Sequence, residues 1–113
     1  MSLHIEKQGD VVIVMPNGPL NGDERTRELE TALRKLIYED QKKIVLDLAK
    51  TPRIDSIGIG VLAGVHTSAV NHNVKLHVCN IERRIKDLLA IVMLLRVLKC
   101  FDTREEALAA FDE

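Results

Sequence analysis

Residues 54–58 read Ile-Asp-Ser-Ile-Gly and place a serine hydroxyl directly after a carboxylate, just before a helical pattern of apolar residues. Serine is a favoured helix cap, and the amide groups at a helix N-terminus favour negative charge. Ser56 is therefore a candidate N-cap of that helix and a candidate phosphate acceptor. A phosphate would add about −1.5 to −2 charges, which the helix N-terminus tolerates. Spacing alone leaves the cap and the phosphorylation site equally open.

Two glycines follow the serine, Gly58 and Gly60, although each costs about 1 kcal/mol relative to alanine inside a helix. Without side chains there, a partner's backbone or a nucleotide phosphate can approach Ser56 closely; alternatively, the glycines let the helix pack tightly on a sheet. Asp55 has three open roles. It orients the hydroxyl, pairs with a base on a partner, or serves as a second local cap.

The same helix carries Ile57, Val61 and Gly64 near the serine. We predict that these positions form an exposed binding surface around Ser56. Their apolar or small character is equally compatible with a place in the core.

The elements before this segment are predicted from periodicity and turn residues. A β-branched run over 11–15, bounded by Gly and Pro, predicts a strand that pairs with residues 3–7 in a hairpin. Asn21 followed by Glu24 predicts an N-cap with its reciprocal carboxylate, and the helix continues to about residue 39. Residues 43–48 are almost continuously apolar, as expected of a strand covered on both faces.

The elements after it follow the same logic. Asn80 is predicted to cap a third helix with Val92 on its inner face, and Val70 belongs to the helical apolar pattern of the helix before it. The predicted elements of this half are a helix over 58–70, a strand over 74–79, the third helix, an edge strand over 97–101, and a last helix that starts at a Thr103 capping box and ends near Phe111.

Strands alternating with helices in this order imply right-handed crossovers. The prediction is an α/β fold with a mostly parallel mixed sheet of about five strands, covered by about four helices. Residues 1–113 are expected to form one domain. In such sheets the functional crevice lies outside the carboxyl ends of the strands, where the loop leading to Ser56 is expected.

Composition argues against several classes of partner. The chain has 16 basic and 17 acidic residues, a net charge of −1, no Trp and few other aromatics, so a nucleic-acid interface is not expected. The longest apolar run, residues 88–95, is far below the ~20 residues that span a bilayer, and the start lacks a signal peptide. Cys79 and Cys100 form no CxxC pair and are expected as buried thiols in a reducing compartment. We expect a cytoplasmic protein without membrane insertion.

Catalysis within the chain is not expected. The four histidines do not form a ligand set at any recognisable spacing, so no metal site is predicted. No phosphate-binding glycine loop, dinucleotide fingerprint or nucleophile elbow is present, so no cofactor and no enzymatic activity are predicted.

Residues 54–62 resemble the Asp-Ser-x-Gly-x-Gly signature of STAS domains, the family of bacterial anti-sigma factor antagonists. The strand over 44–48 precedes this motif as it does in the family, and residues 85–108 resemble the family's C-terminal half. The resemblance implies a STAS-like domain. It also implies that an anti-sigma factor with serine-kinase activity phosphorylates Ser56, that the unphosphorylated form binds this kinase and frees a sigma factor, and that a serine phosphatase resets the cycle.

The resemblance, together with the spacing, predicts a partner-binding surface at Asn21, Asp55, Ser56, Ile57, Gly58, Gly60, Val61 and Gly64. Three positions depart from the family. Ile57 replaces a small residue, Asn21 stands where an acidic residue is usual, and Met93 stands where Gly is frequent.

Two other functions fit the same residues. One is a STAS scaffold or accessory subunit in a stressosome-like or lipid-transport assembly, without an obligatory phosphoswitch. The other is a sensing module in which the helix N-terminus at Ser56 binds a nucleotide phosphate or another small anion.

Overall fold

The computed structural model describes residues 3–112 and contains one five-stranded sheet with the strands in chain order. The first two strands are antiparallel, as the predicted hairpin requires, and every later strand is parallel to its neighbour. The strands are β1 (Leu3–Gln8), β2 (Val11–Pro16), β3 (Lys43–Asp47), β4 (Lys75–Cys79) and β5 (Lys99–Phe101). The predicted α/β class with a mixed, mostly parallel sheet is confirmed.

Four helices connect and cover the strands. They are α1 (Glu24–Tyr38), α2 (Ser56–Asn71), α3 (Arg83–Ile91) and α4 (Arg104–Ala109), with short 3-10 turns at Leu94–Arg96 and Ala110–Asp112. The capping box predicted at Thr103 is present, with the Thr103 hydroxyl and the Glu106 carboxylate bonding each other's backbone N–H. Among the helices of residues 3–112, none combines the length and the hydrophobicity needed to cross a bilayer.

Because successive side chains of a strand point to opposite faces of the sheet, the protein has two cores, one on each face. The larger core joins one face to α1, α2 and α3, and the smaller core joins the other face to α4. Ile44, Val45 and Leu46 of β3 are fully buried because both faces of the central strand are covered. This explains the continuous apolar run of that strand.

Two predicted caps are wrong by two residues. Asp23, not Asn21, caps α1, and its carboxylate accepts the N–H of Thr26 at 3.2 Å. Asn21 instead accepts the N–H of Asp23 in the turn before the helix. Glu82, not Asn80, caps α3. Asn80 has a left-handed backbone, with φ of 55°, which asparagine tolerates better than most residues.

Val92, predicted on the inner face of α3, and Val70, predicted as part of the apolar pattern of α2, are both exposed. Val70 is 58% exposed and lies in the last turn of α2, while Val92 is 46% exposed and is the residue at which α3 stops. Both valines lie at the C-terminal end of a helix. Apolar periodicity predicts which side of a helix is apolar, but it does not reveal whether neighbouring elements extend far enough to cover that end. Both cysteines are free thiols; Cys79 is buried as predicted, but Cys100 is only half-buried.

Candidate functional site

The candidate site lies where the loops after β2 and β3 run side by side. The Leu20 N–H donates to the Arg53 carbonyl at 3.0 Å, and the Asp55 N–H donates to the Leu20 carbonyl at 3.1 Å. Leu20 and Ile54 form a parallel bridge, so the two loops continue the pairing of the sheet beyond the ends of the strands. This pairing brings Asn21, which follows Leu20, to the start of α2.

Asp55 is the N-cap of α2, which corrects the prediction that Ser56 fills this position. One oxygen of its carboxylate accepts the N–H of Ile57 at 3.0 Å and that of Gly58 at 3.2 Å. Of the three roles left open for Asp55, the structure shows the local cap. The carboxylate already satisfies these two amides, and its negative charge opposes the docking of a free anion at the same helix end.

Ser56 is the first residue of α2 and is exposed. Because Asp55 provides the cap, the Ser56 hydroxyl has no hydrogen-bond partner within residues 3–112. Gly60 lies one helical turn further and is also exposed, and a Cβ added there would meet no atom within 4 Å. The hydroxyl therefore points from a helix face with open space beside it.

Gly58 differs from Gly60 because it is buried. A Cβ at Gly58 would lie 2.5 Å from the Leu20 carbonyl oxygen and 2.6 Å from Cγ1 of Ile54. The missing side chain allows α2 to approach the paired loops. Gly58 thus serves internal packing and does not contribute to the accessible part of the predicted surface.

The other predicted surface positions follow α2 away from Ser56. Ile57 is 56% exposed and packs over Gly22, where a Cβ would meet its Cδ1 at 2.6 Å and where φ is +87°. Val61 is half-buried and packs against the larger core. Gly64 is half-buried beneath the guanidinium of Arg34. The accessible surface around the serine, here called the serine surface, consists of Asn21, Asp55, Ser56, Ile57, Gly60 and the edges of Val61 and Gly64.

A buried polar network at the end of β3 was not predicted. The Asp47 carboxylate is almost fully buried and accepts the Arg104 Nε–H at 2.9 Å, the Asn80 Nδ2–H at 3.1 Å and the Ala49 N–H at 2.9 Å. Burial opposes the charge of Arg104, but its hydrogen bonds and charge attraction with Asp47 and Glu6 raise its pKa above the usual range. The network fixes the start of the loop that carries Ser56. A polar residue that ends a buried strand is the signal that could have revealed it.

Comparison with known sequences places this geometry in a family. The sequence profile of the STAS domain matches residues 2–107. The chain belongs to the STAS domain family. A STAS relative from Thermotoga neapolitana, named as an anti-sigma factor antagonist, is 30% identical over 99 residues, which cover 88% of both chains. A second relative with that description, from Thermotoga maritima, is 27% identical over the same length.

Solved STAS structures share the fold. The crystal structure of the anti-sigma factor antagonist from Thermotoga maritima has a TM-score of 0.90 at 25% identity and covers 98% of this chain and 95% of its own. The phosphorylated form of the Bacillus cell fate determinant SpoIIAA has a TM-score of 0.75 at 15% identity, covering 96% and 98%. That second likeness is one of fold alone. The predicted STAS family and fold are therefore confirmed.

Proposed function

We propose that this chain is an anti-sigma factor antagonist that is switched by phosphorylation of Ser56. The unphosphorylated form binds an anti-sigma factor with serine-kinase activity and thereby frees a sigma factor. Phosphorylation ends this binding, and a serine phosphatase restores it. The observation that carries the proposal is the exposed Ser56 hydroxyl at the start of α2, which has no hydrogen-bond partner among residues 3–112 and has open space beside it at Gly60.

The electrostatics of the site indicates that a phosphate on Ser56 affects partner binding more than it affects the fold of the chain. Asp55 holds the first-turn amides, so a phosphate on Ser56 would project into solvent and not replace the cap. The phosphate dianion would stand beside the Asp55 carboxylate, in the middle of the serine surface. A docked partner would have to desolvate or repel this concentrated charge. SpoIIAA, whose fold is similar, exists in a phosphorylated form, in line with this reasoning.

Binding of the anti-sigma kinase from the same organism to three variants tests the proposal. Ser56→Ala should bind as the unmodified protein does, and Ser56→Asp should bind at least about tenfold more weakly, by isothermal titration calorimetry. Thr67→Asp adds the same charge to an exposed position in the C-terminal half of α2 and should leave the affinity unchanged. Incubation with this kinase and ATP should label Ser56, as mapped by mass spectrometry.

Two results would contradict the proposal. If Ser56→Asp binds the kinase as tightly as Thr67→Asp does, the charge at Ser56 does not control the complex, and the scaffold function becomes the better interpretation. If phosphate maps to another residue, the switch lies elsewhere. If the kinase does not phosphorylate Ser56, and Ile57→Ser or Asn21→Asp restores phosphorylation, the loss is due to that departure from the family.

A further inference from the structure

A groove of about 460 Å³ lies at the other end of α2 from Ser56. It exists because β5 is short. β5 begins at Lys99, opposite His77, so the first residues of β4 have no neighbouring strand on that side. The last turns of α2 line the groove, and so do Val97 before β5 and Ala110 after α4.

The groove has an apolar lining that includes side chains left open to solvent. Val70 is 58% exposed and Val97 is 51% exposed, although both line the same space. Ala69, Val74 and Leu76 also line the groove, but they are buried and form its apolar base. A ligand with an apolar body would cover these side chains and remove their surface from water.

The polar groups at the groove have one sign of charge. Lys75 and Lys99 both line it, both are exposed, and neither forms an ion pair among residues 3–112. No Asp or Glu of the described chain lines the groove. His66 also lines it. A carboxylate or sulfonate placed here would be attracted by the positive charge of the two lysines, and no acidic side chain of the described lining would oppose it.

The floor of the groove is held in place by His77. Its ring stacks on Phe111 with a centroid distance of 3.8 Å, and its Nδ1–H donates to the Ala107 carbonyl at 2.8 Å. This attaches the 3-10 turn Ala110–Asp112, which contributes Ala110 to the lining, to β4. These contacts hold this part of the lining in place, as is usual for small-molecule sites.

We propose that this groove binds a small anion with an apolar body, such as an aryl or alkyl carboxylate, with Lys75 and Lys99 holding the acidic group and Val70 and Val97 covering the apolar part. The site is separate from the serine surface and does not depend on phosphorylation of Ser56.

Three probes of the same shape and different charge test this site: 4-phenylbutyrate, 4-phenyl-1-butanol and 4-phenylbutylamine. Titration of the full chain, followed by amide nitrogen–proton NMR, should give saturable shifts of groove amides with the carboxylate. The dissociation constant should be about 1 mM or lower, and at least about fivefold lower than for the alcohol, with the amine weakest. The amide resonances of the serine surface should not shift on titration.

Substitutions separate the charge from the apolar lining. Lys75→Gln together with Lys99→Gln should abolish the preference for the carboxylate over the alcohol, because both ammonium groups of the groove are then removed. Lys7→Gln, on an exposed position of β1 away from the groove, should preserve it. Absence of saturable shifts up to about 10 mM of the carboxylate would overturn the site. Equal binding of the three probes, or a carboxylate preference that survives the loss of both lysines, would overturn its anionic specificity.

Discussion

The two ends of α2 are built in different ways. At its N-terminus, backbone hydrogen bonds join the loops after β2 and β3, Asp55 caps the helix, and Gly58 lets it approach the Leu20 carbonyl. At its C-terminus, Val70 remains exposed beside a groove, because β5 starts too late to cover the beginning of β4.

The difference shows how one helix supports two kinds of surface. The N-terminal end has its backbone fixed, and the Ser56 hydroxyl has no hydrogen-bond partner among residues 3–112, which suits the modification proposed above without a change of fold. The C-terminal end has apolar surface that no element covers, which suits a position where something else binds. The N-terminal end of α2 is therefore held in place by hydrogen bonds, whereas the C-terminal end leaves apolar side chains exposed beside the groove.

The largest effect is expected from disrupting the Asp47 network, which fixes the start of the loop that leads to the N-terminus of α2. Asp47→Ala should lower the free energy of unfolding by about 3 kcal/mol, because it leaves the Arg104 Nε–H and the donors of Asn80 and Ala49 without their acceptor. Urea unfolding followed by circular dichroism measures this loss.

Glu6 is the matched control, since it binds the same guanidinium from a more exposed position, at 3.3 Å. Glu6→Gln should cost less than about 1 kcal/mol. Equal losses in the two variants would mean that the buried network does not hold the carboxyl end of the sheet together.

An intermediate effect separates the two glycines near the serine. Gly58→Ala should destabilise the protein by about 1–3 kcal/mol, because its Cβ would collide with the Leu20 backbone. Gly60→Ala should be neutral or stabilise by up to about 1 kcal/mol, because its Cβ meets open space and alanine favours the helix. Thermal unfolding of both variants gives the comparison; changes of the same sign and size would contradict the distinction between a packed and an open glycine.

The glycines also show what the sequence could and could not predict. Both glycines are unfavourable inside a helix, and the sequence leaves packing and access open as the reasons for them. Their separation depends on where Leu20 lies, and Leu20 is 38 residues before Gly58 in the chain. Local spacing carries no information about such a contact, so only the structure assigns packing to one glycine and open space to the other.

The order of strands and helices was predicted correctly because each element has its own periodicity and turn residues. The helix caps were predicted less accurately, because Ser, Asp and Asn all cap helices and candidates close together in the sequence compete for the position. Asp55 took the cap that Ser56 was expected to fill, and this error proved informative because it leaves the hydroxyl unbonded. The groove had no signal in the sequence; it results from the length of β5 and from how α2 ends.

The smallest expected effect concerns the turns that lead from a helix into a strand, at the same end of the sheet as the groove. Each of these turns contains one non-glycine residue with a left-handed backbone: Asp40 before β3, Asn73 before β4, and Met93 in the connection to β5. Asp and Asn tolerate this conformation, whereas methionine has no side-chain group that compensates for its cost. Met93 is 60% exposed, so its side chain loses little packing when removed.

Met93→Gly should therefore raise the free energy of unfolding by about 1 kcal/mol, with the relief of backbone strain exceeding the entropy cost of glycine. Asn73→Gly should change it by less, because the asparagine at φ of 58° is under less strain than the methionine at φ of 67°. Urea unfolding of the two variants side by side measures the difference. A loss of stability in Met93→Gly would show that the exposed Met93 side chain makes a stabilising contact, and that the groove end is more firmly built than the comparison of the two ends of α2 implies.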